Sequence, residues 1–306
     1  SVEQLFRDEW KSSAEIYLPG GMSPKPGDFF TNKKMAETYL RIINEAEAKS
    51  SDIKEQIQCA RDIWSKGFIA DAIDHFCRNE EVMDTTESRH KGLLTGDDLA
   101  NWSATIEKPC SYDYRNYTVC KTGPWGQGPT FLQQLALLKG FDLDQLDEKS
   151  PEFVHLVVES TKLAFADREA FYGDTNFNEV PMEILLSEKY NIERRKLIST
   201  NASMEVRPGS IPGFGGNVVV RPKGKTAESF SKFDIGEPTV ARFDEPLPNS
   251  LGETKGDTTH FDIIDKWGNM IAGTPSGGWL QSSPIIPSLG FCLSNRGQMF
   301  WLDKNS

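Results

Sequence analysis

The stretch Gly256-Asp257-Thr258-Thr259-His260-Phe261-Asp262-Ile263-Ile264-Asp265-Lys266-Trp267-Gly268-Asn269-Met270-Ile271-Ala272-Gly273-Thr274 constrains this chain more than any other. Thr259, Phe261 and Ile263 alternate with His260, Asp262 and Ile264, the period of two expected of a strand. Lys266-Trp267-Gly268-Asn269 supplies a turn, because glycine and asparagine tolerate a positive φ. Met270 to Thr274 then returns as a second strand. The segment running into Thr258 is polar and rich in glycine and proline, so the hairpin starts abruptly. A threonine at the head of a strand, behind a long flexible leader, is what a nucleophile made by cutting the chain just before it would look like.

Threonine is β-branched and common in strands, so Thr258-Thr259 alone says little. The wider pattern says more. Thr258-Thr259-His260, then Asp265-Lys266 with Gly268-Asn269, then Thr274 with Ser276, resembles the start of the small subunit in the gamma-glutamyltranspeptidase family. The resemblance implies a precursor that cleaves itself, as in other N-terminal-nucleophile hydrolases, and so exposes a catalytic threonine. Thr258 is the matching position, and the implied scissile bond is Asp257–Thr258. By the same resemblance Thr274 and Ser276 would lie close to Thr258, with Ser276 helping to hold its hydroxyl. On residue type alone both read as ordinary loop hydrogen-bonders.

Length and composition bound the rest. A chain of 306 residues allows one large domain or two. The net charge of -11 argues against a general nucleic-acid or anionic-membrane binder, which needs a basic face. No apolar run approaches the roughly 18 residues of a membrane span. No signal peptide is evident, but the sequence opens on Ser1 rather than Met, so a start further upstream is expected. The compartment stays open between cytoplasmic and secreted or periplasmic. The five cysteines, Cys59, Cys77, Cys110, Cys120 and Cys292, contain no CxxC pair and no histidine at zinc spacing, so no metal is expected. Cys110 and Cys120 flank a hairpin around Arg115-Asn116 and would face each other only across a three-residue loop, which leaves free buried thiols as the expectation.

Along the chain, the turn formers Leu18-Pro19-Gly20-Gly21, Pro24, Pro26 and Gly27 make residues 1–30 a connector. Helix is expected from about Thr31 to Ala48, capped by Asn32. A second helical block covers roughly 52–80, its apolar face running through Ile53, Ile57, Ala60 and Trp64 and resuming at Ile69, Ala72, Ile73 and Phe76. His75 and His155 read as structural, and His90 sits in a charged loop. Thr95 with Asp98 fits a capping box opening a short helix. Gly123-Pro124-Trp125-Gly126-Gln127-Gly128-Pro129 precedes a helix from about Thr130 to Leu138. Two prolines remove donors from this loop and no Lys-Ser/Thr follows, so it is a packing turn and no nucleotide or other cofactor is expected. Helices should also span about 151–170 and 182–199, whereas residues 201–256 show few periodic segments.

Further matches to the family are Lys66 to Ile73, the Tyr114-Arg115-x-Tyr117 hairpin, Ala166-Asp167-Arg168 with Tyr172-Gly173-Asp174, and Val180-Pro181. Gly290-Phe291-Cys292-Leu293-Ser294-Asn295 resembles the family's strand of substrate contacts. There the pattern departs. The transpeptidases continue with Gln-Met-Asp-Asp-Phe, whose second acidic residue binds the glutamyl amino group; this chain has Arg296-Gly297-Gln298-Met299-Phe300. The substitution resembles the gamma-glutamyltransferase-like branch that includes cephalosporin acylases, and it makes Asn295, Arg296 and Gln298 the candidate substrate-binding residues. An arginine can grip an acyl-chain carboxylate bidentately.

The implied fold is α+β, an Ntn-hydrolase αββα four-layer sandwich, incomplete and helix-rich before residue 200. Residues 1–257 would be the C-terminal part of a large subunit, including a flexible leader at 201–257. Residues 258–306 would open the small subunit. The family's carboxylate-binding arginine and oxyanion glycines fall outside this match, so a central piece of a precursor is expected. The implied activity is acyl transfer or amide hydrolysis on a small-molecule gamma-glutamyl or related acyl amide, with an amino acid, dipeptide or water as acceptor. Alternatives are a true gamma-glutamyl transpeptidase or glutathione hydrolase, and an unprocessed, non-catalytic relative that acts as a binding protein.

Overall fold

The computed structural model describes residues 2–84, 86–214, 218, 260–275, 280–294 and 297. Two compact units divide the chain, one from residues 1–104 with 222–299, the other from 105–221 with 300–306.

The first unit opens with two helices, α1 (Glu3–Asp8) and α2 (Lys11–Tyr17), where a connector was expected. Leu5, Phe6, Trp10 and Leu18 bury their side chains against one another, and the Phe6 and Trp10 rings stack 6.1 Å apart. Trp10 Nε1–H donates to the Met83 carbonyl at 3.1 Å, so this small core closes only with a strand far along the chain. The turn formers act further on, where Gly20 and Gly21 take positive φ.

Helices α3 (Lys33–Lys49), α4 (Ile53–Lys66) and α5 (Phe68–Asn79) come next. Asn32 caps α3 as expected, its Oδ1 accepting the Met35 N–H at 3.0 Å. Asp52 caps α4 in the same way through Lys54 and Glu55. The expected block 52–80 breaks at Gly67, where a Cβ would sit 2.8 Å from Ile63 Cα. Ile42, Ile63, Ile69, Ile73 and Cys77 form the core with Ile286 and Leu289. At about 1.5–3 kcal/mol for each fully buried aliphatic side chain, this cluster dominates the unit. The expected stripe on α4 is displaced. Of the expected residues Ala60 does pack on the core, but Ile53, Ile57 and Trp64 are exposed, because α4 offers Ile63 and Cys59 beside it. A short antiparallel pair, β1 (Glu81–Met83) and β2 (Arg89–Lys91), lies where only loop was expected. His90, in the middle of β2, bonds Asp84 at 2.6 Å. The Thr95–Asp98 capping box then opens α6 (Gly96–Asn101) as expected.

In the second unit β3 (Cys110–Tyr114) pairs with β4 (Tyr117–Lys121). Tyr114 opposite Tyr117 leaves a two-residue loop, with Arg115 at φ 54. Cys110 therefore pairs with Lys121, and Cys120 with Ser111, so the two thiols stand on opposite faces of the hairpin. None of the five cysteines is joined in a disulfide; Cys77 is buried, Cys120 is exposed and the others are half-buried, against the expectation of buried thiols. Helices α7 (Gly128–Leu138) and α8 (Pro151–Phe171) pack through Leu137, Leu163 and Ala164. The single helix expected at 182–199 is two, α9 (Met182–Leu185) and α10 (Glu188–Arg195), because Ser187 caps the second by accepting the Tyr190 N–H. The half-buried His155 bonds the Ser199 carbonyl at 2.7 Å, a structural role as expected.

Two carboxylates of α8 organise the chain beyond α10. Asp167 is wholly buried and accepts from Arg194, from Gln133, from the Tyr190 hydroxyl and from the Gly209 N–H. Glu159, equally buried, accepts from Lys162, Arg207 and the Ser203 N–H. Residues 203–209 have no helix or strand, and these charge-assisted bonds satisfy backbone that secondary structure leaves unpaired. Back in the first unit, β5 (Phe261–Ile264) and β6 (Met270–Gly273) form the hairpin expected from the sequence. The strands among the described residues thus pair as three two-stranded antiparallel sheets.

Candidate active site

The β5–β6 hairpin fixes the geometry of the only member of the expected catalytic set among the described residues, Thr274. Asp265 builds the turn: its carboxylate accepts from the Trp267 N–H, the Asn269 N–H and the Asn269 side chain, all within 2.9 Å. The Asn269 side-chain bond, with the backbone donors, holds the Asp265 carboxyl below its ordinary range. Gly268 takes φ 84, a left-handed conformation that suits glycine. Register then runs Ile264–Met270, Ile263–Ile271, Asp262–Ala272 and Phe261–Gly273. One step further along this ladder His260 meets Thr274.

His260 Nδ1 lies 2.7 Å from Thr274 Oγ1. Its Nε2 lies 3.2 Å from each carboxylate oxygen of Asp262, two residues on and therefore on the same face of the strand. With Nε2–H donating to Asp262, Nδ1 is left to accept the Thr274 hydroxyl proton. Carboxylate, imidazole and hydroxyl stand in that order, an arrangement that orients the ring and polarises the hydroxyl. Gly273 keeps this end of the hairpin tight, since a Cβ there would come within 2.4 Å of the Phe261 ring.

Both faces of the hairpin carry exposed apolar side chains, Ile264 at 67% exposure on one and Ile263 at 56% on the other. Polar groups at its open end are also exposed, with His260 and Asp262 side chains 55% and 65% accessible. At such exposure the charge interaction itself stabilises little, so the ordering of the hydroxyl is the chemically useful part.

Thr258, Asp257, Ser276, Asn295, Arg296 and Gln298 lie outside the described residues. His260 and Asp262 were not among the expected site residues. Their signal was the alternation that puts positions 260 and 262 on one face. Among the described residues no group of three or more His, Cys, Asp or Glu is placed to hold a metal ion.

The comparisons with known proteins agree in direction. A glutathione hydrolase proenzyme of Bacillus subtilis subsp. natto is 28% identical over 295 residues, covering 96% of this chain and 42% of that protein. An acylase ACY 1 proenzyme of Pseudomonas sp. (strain SE83) is 29% identical over 206 residues, covering 67% of this chain and 30% of that one. The solved structure of LmbA2991HD superposes with a TM-score of 0.80 at 45% identity, over 100% of this chain and 48% of that one. This chain therefore spans less than half the length of these relatives, and it shares the fold of the matched part of the solved structure. A family model described as Gamma-glutamyltranspeptidase matches residues 1–306, from the first helix through the hairpin that carries Thr274, and the chain belongs to the gamma-glutamyltranspeptidase family.

Proposed function

We propose that this chain carries the reacting threonine, Thr258, of a self-cleaving acyl-transfer enzyme. One observation carries the reading: Thr274, expected beside Thr258, has its hydroxyl 2.7 Å from a histidine that a carboxylate backs. A threonine hydroxyl is a weak nucleophile without a base beside it. Cleavage of the Asp257–Thr258 bond would supply one, because a free α-amine titrates near 8 and reaches its own side-chain oxygen. Until the bond is cut that amine does not exist, so processing precedes catalysis.

In the cycle Thr258 Oγ adds to an amide carbonyl of the donor and its proton passes to the α-amine. Collapse of the adduct breaks the C–N bond, and the leaving amine takes that proton. Water or an acceptor amine then attacks the ester, releasing the acyl group and restoring the hydroxyl. Thr274 and Ser276 would hold the Thr258 oxygen, with His260 fixing the direction of the Thr274 hydroxyl. The donor is a gamma-glutamyl or related acyl amide; the acceptor is an amino acid, a dipeptide or water. Residues 1–257 and 258–306 then belong to separate subunits cut from one precursor.

A second reading concerns the acyl group. Arg296-Gly297-Gln298 stands where the transpeptidases carry acidic residues, which favours a donor with a carboxylate and no amino group over a glutamyl one. The relatives include both a glutathione hydrolase and an acylase.

Intact mass and N-terminal sequencing of the full-length gene product, beside a Thr258→Ala chain, test the proposal. A new N-terminus at Thr258 that is absent from the variant is expected. A single uncut chain in both would remove the base and the mechanism with it, leaving a binding protein of the same ancestry.

A further inference from the structure

A chain that cuts itself meets a difficulty that the cut enzyme does not. The nitrogen that serves Thr258 as a base after the cut is an amide nitrogen before it, and an amide does not take up a proton at ordinary pH. The first cut therefore needs another proton acceptor, and the β5–β6 hairpin holds one.

Of the four histidines in the sequence, three are engaged elsewhere. His75 bonds Asn79 within α5, His90 bonds Asp84, and His155 bonds the Ser199 carbonyl. The fourth, His260, stands one step beyond the Phe261–Gly273 pair, at the open end of the hairpin. The charged groups of the hairpin besides Asp262 lie at its turn. Asp265 is committed to three donors from Trp267 and Asn269, and Lys266 lies over the Trp267 ring at 4.4 Å. At about 3.3 Å per residue, Asp265 is some ~16 Å along the strand from His260.

His260 is arranged to take a proton from one direction. Nδ1 faces Thr274 Oγ1 at 2.7 Å, within the reach a general base needs, and Nε2 lies 3.2 Å from each Asp262 oxygen. With Nε2–H held by the carboxylate, Nδ1 stays an acceptor, and the same carboxylate stabilises the imidazolium that forms when Nδ1 is protonated. Thr258 lies outside the described residues. In sequence it is two positions before His260 and four before Asp262, the spacing of one strand face.

We propose that His260, backed by Asp262 and acting through the Thr274 hydroxyl, receives the proton of Thr258 during the self-cleavage itself. The proposal rests on the cleavage proposed above. Thr258 Oγ adds to the Asp257 carbonyl carbon, its proton passes to Thr274 Oγ1, and the Thr274 proton passes to His260 Nδ1. The adduct collapses by breaking the C–N bond. The departing nitrogen takes the proton back along the same path, which leaves an Asp257 ester on Thr258 Oγ and a free α-amine. Water hydrolyses the ester to the Asp257 carboxylate and the Thr258 hydroxyl. From then on the amine is the base, and His260 keeps only its hold on Thr274.

The full-length gene product, pulse-labelled and followed on denaturing gels, gives the rate of cutting. His260→Ala should slow it about 100-fold or more, the worth of a general base. His260→Gln can still bond the Thr274 hydroxyl but accepts no proton, so it should cut as slowly as H260A. Added imidazole should speed H260A, whose site is open to solvent, and leave Thr274→Val unchanged, because that chain lacks the hydroxyl between base and nucleophile. The H260A material that does cut on long incubation should lose far less in kcat than in the rate of cutting. A wild type that stays uncut would sink the functional reading and this proposal together. A wild type that cuts, beside an H260A or H260Q chain that cuts as fast, would overturn the proposal alone. So would equal losses of cutting and kcat in H260A, or an H260A chain indifferent to imidazole.

Discussion

Asp167 and Arg194 form a buried ion pair, with Arg194 Nη2 2.9 Å from Asp167 Oδ1, a carboxylate wholly removed from solvent and an arginine side chain 6% exposed. The same carboxylate accepts from Gln133, Tyr190 and the Gly209 N–H, so four partners depend on one charge. Removing one side of such a pair strands the other in a medium that solvates it poorly. Asp167→Ala should therefore cost about 3–5 kcal/mol of stability, read from urea unfolding. Asp167→Ala with Arg194→Met should recover part of that loss, because no charge is then left unpaired. A double variant as unstable as the sum of the singles would show that packing, not charge, sets the cost.

Glu159 gives the same unit a dependence on acid. Burial pushes its carboxyl up, but hydrogen bonds from Lys162, the Ser203 N–H and Arg207 outweigh burial and hold it below the ordinary range. A carboxyl depressed in the folded state contributes stability above its unfolded value, near 4.3, that is lost as pH falls through the folded one. Urea midpoints should thus decline below about pH 4 in the wild type and decline less in Glu159→Gln. At pH 7 Glu159→Gln should cost about 1–3 kcal/mol, since Lys162 and Arg207 lose their counter-charge. Parallel pH curves for the two proteins would remove Glu159 from the account.

The His260–Thr274 contact predicts non-additive kinetics. In the processed full-length protein Thr274→Val should lower kcat about 100-fold or more, with KM little changed. His260→Ala should lower kcat about 10-fold or more, acting through the direction of the Thr274 hydroxyl. Once Thr274 is valine, adding His260→Ala should cost almost nothing further. Fully multiplicative losses would mean that the histidine acts elsewhere.

Acyl specificity should turn on Arg296. Arg296→Ala should raise KM for a glutaryl amide about 10- to 100-fold, the worth of a charge-assisted hydrogen bond, and leave a neutral acyl amide unaffected. Steady-state kinetics on glutaryl, gamma-glutamyl and neutral amides decide it. Unchanged rates on glutaryl and glutamyl amides alike would end the idea.

Much of the fold was legible because the interactions that decide it are local. The Asn32 and Thr95 caps bond within three residues, and both helices start where the sequence places them. The β5–β6 hairpin comes from alternation and a Gly-Asn turn, and its register puts Thr274 at the open end. Elsewhere local signals misled. Leu5, Phe6, Trp10 and Leu18 form a core that needs Met83 beside it, and nothing within residues 1–30 announces that strand. Ile53, Ile57 and Trp64 keep helical spacing, but which stripe of α4 is buried depends on where α5 and residues 286–289 lie.

The sequence by itself determined the helices that Asn32 and Thr95 cap and the β5–β6 hairpin, because caps, turns and periodic patterns act over a few residues, and its motifs carried the family to which this chain belongs and the threonine expected to react. Only the tertiary structure decided that His260 and Asp262 stand behind Thr274, that Asp167 and Glu159 pin residues 203–209, and that Thr38 holds the Leu289 carbonyl. The relationships of Asp167, Glu159 and Thr38 rest on burial and on pairs up to 251 residues apart, and a buried polar group takes its partner from whatever the packed core brings within about 3 Å.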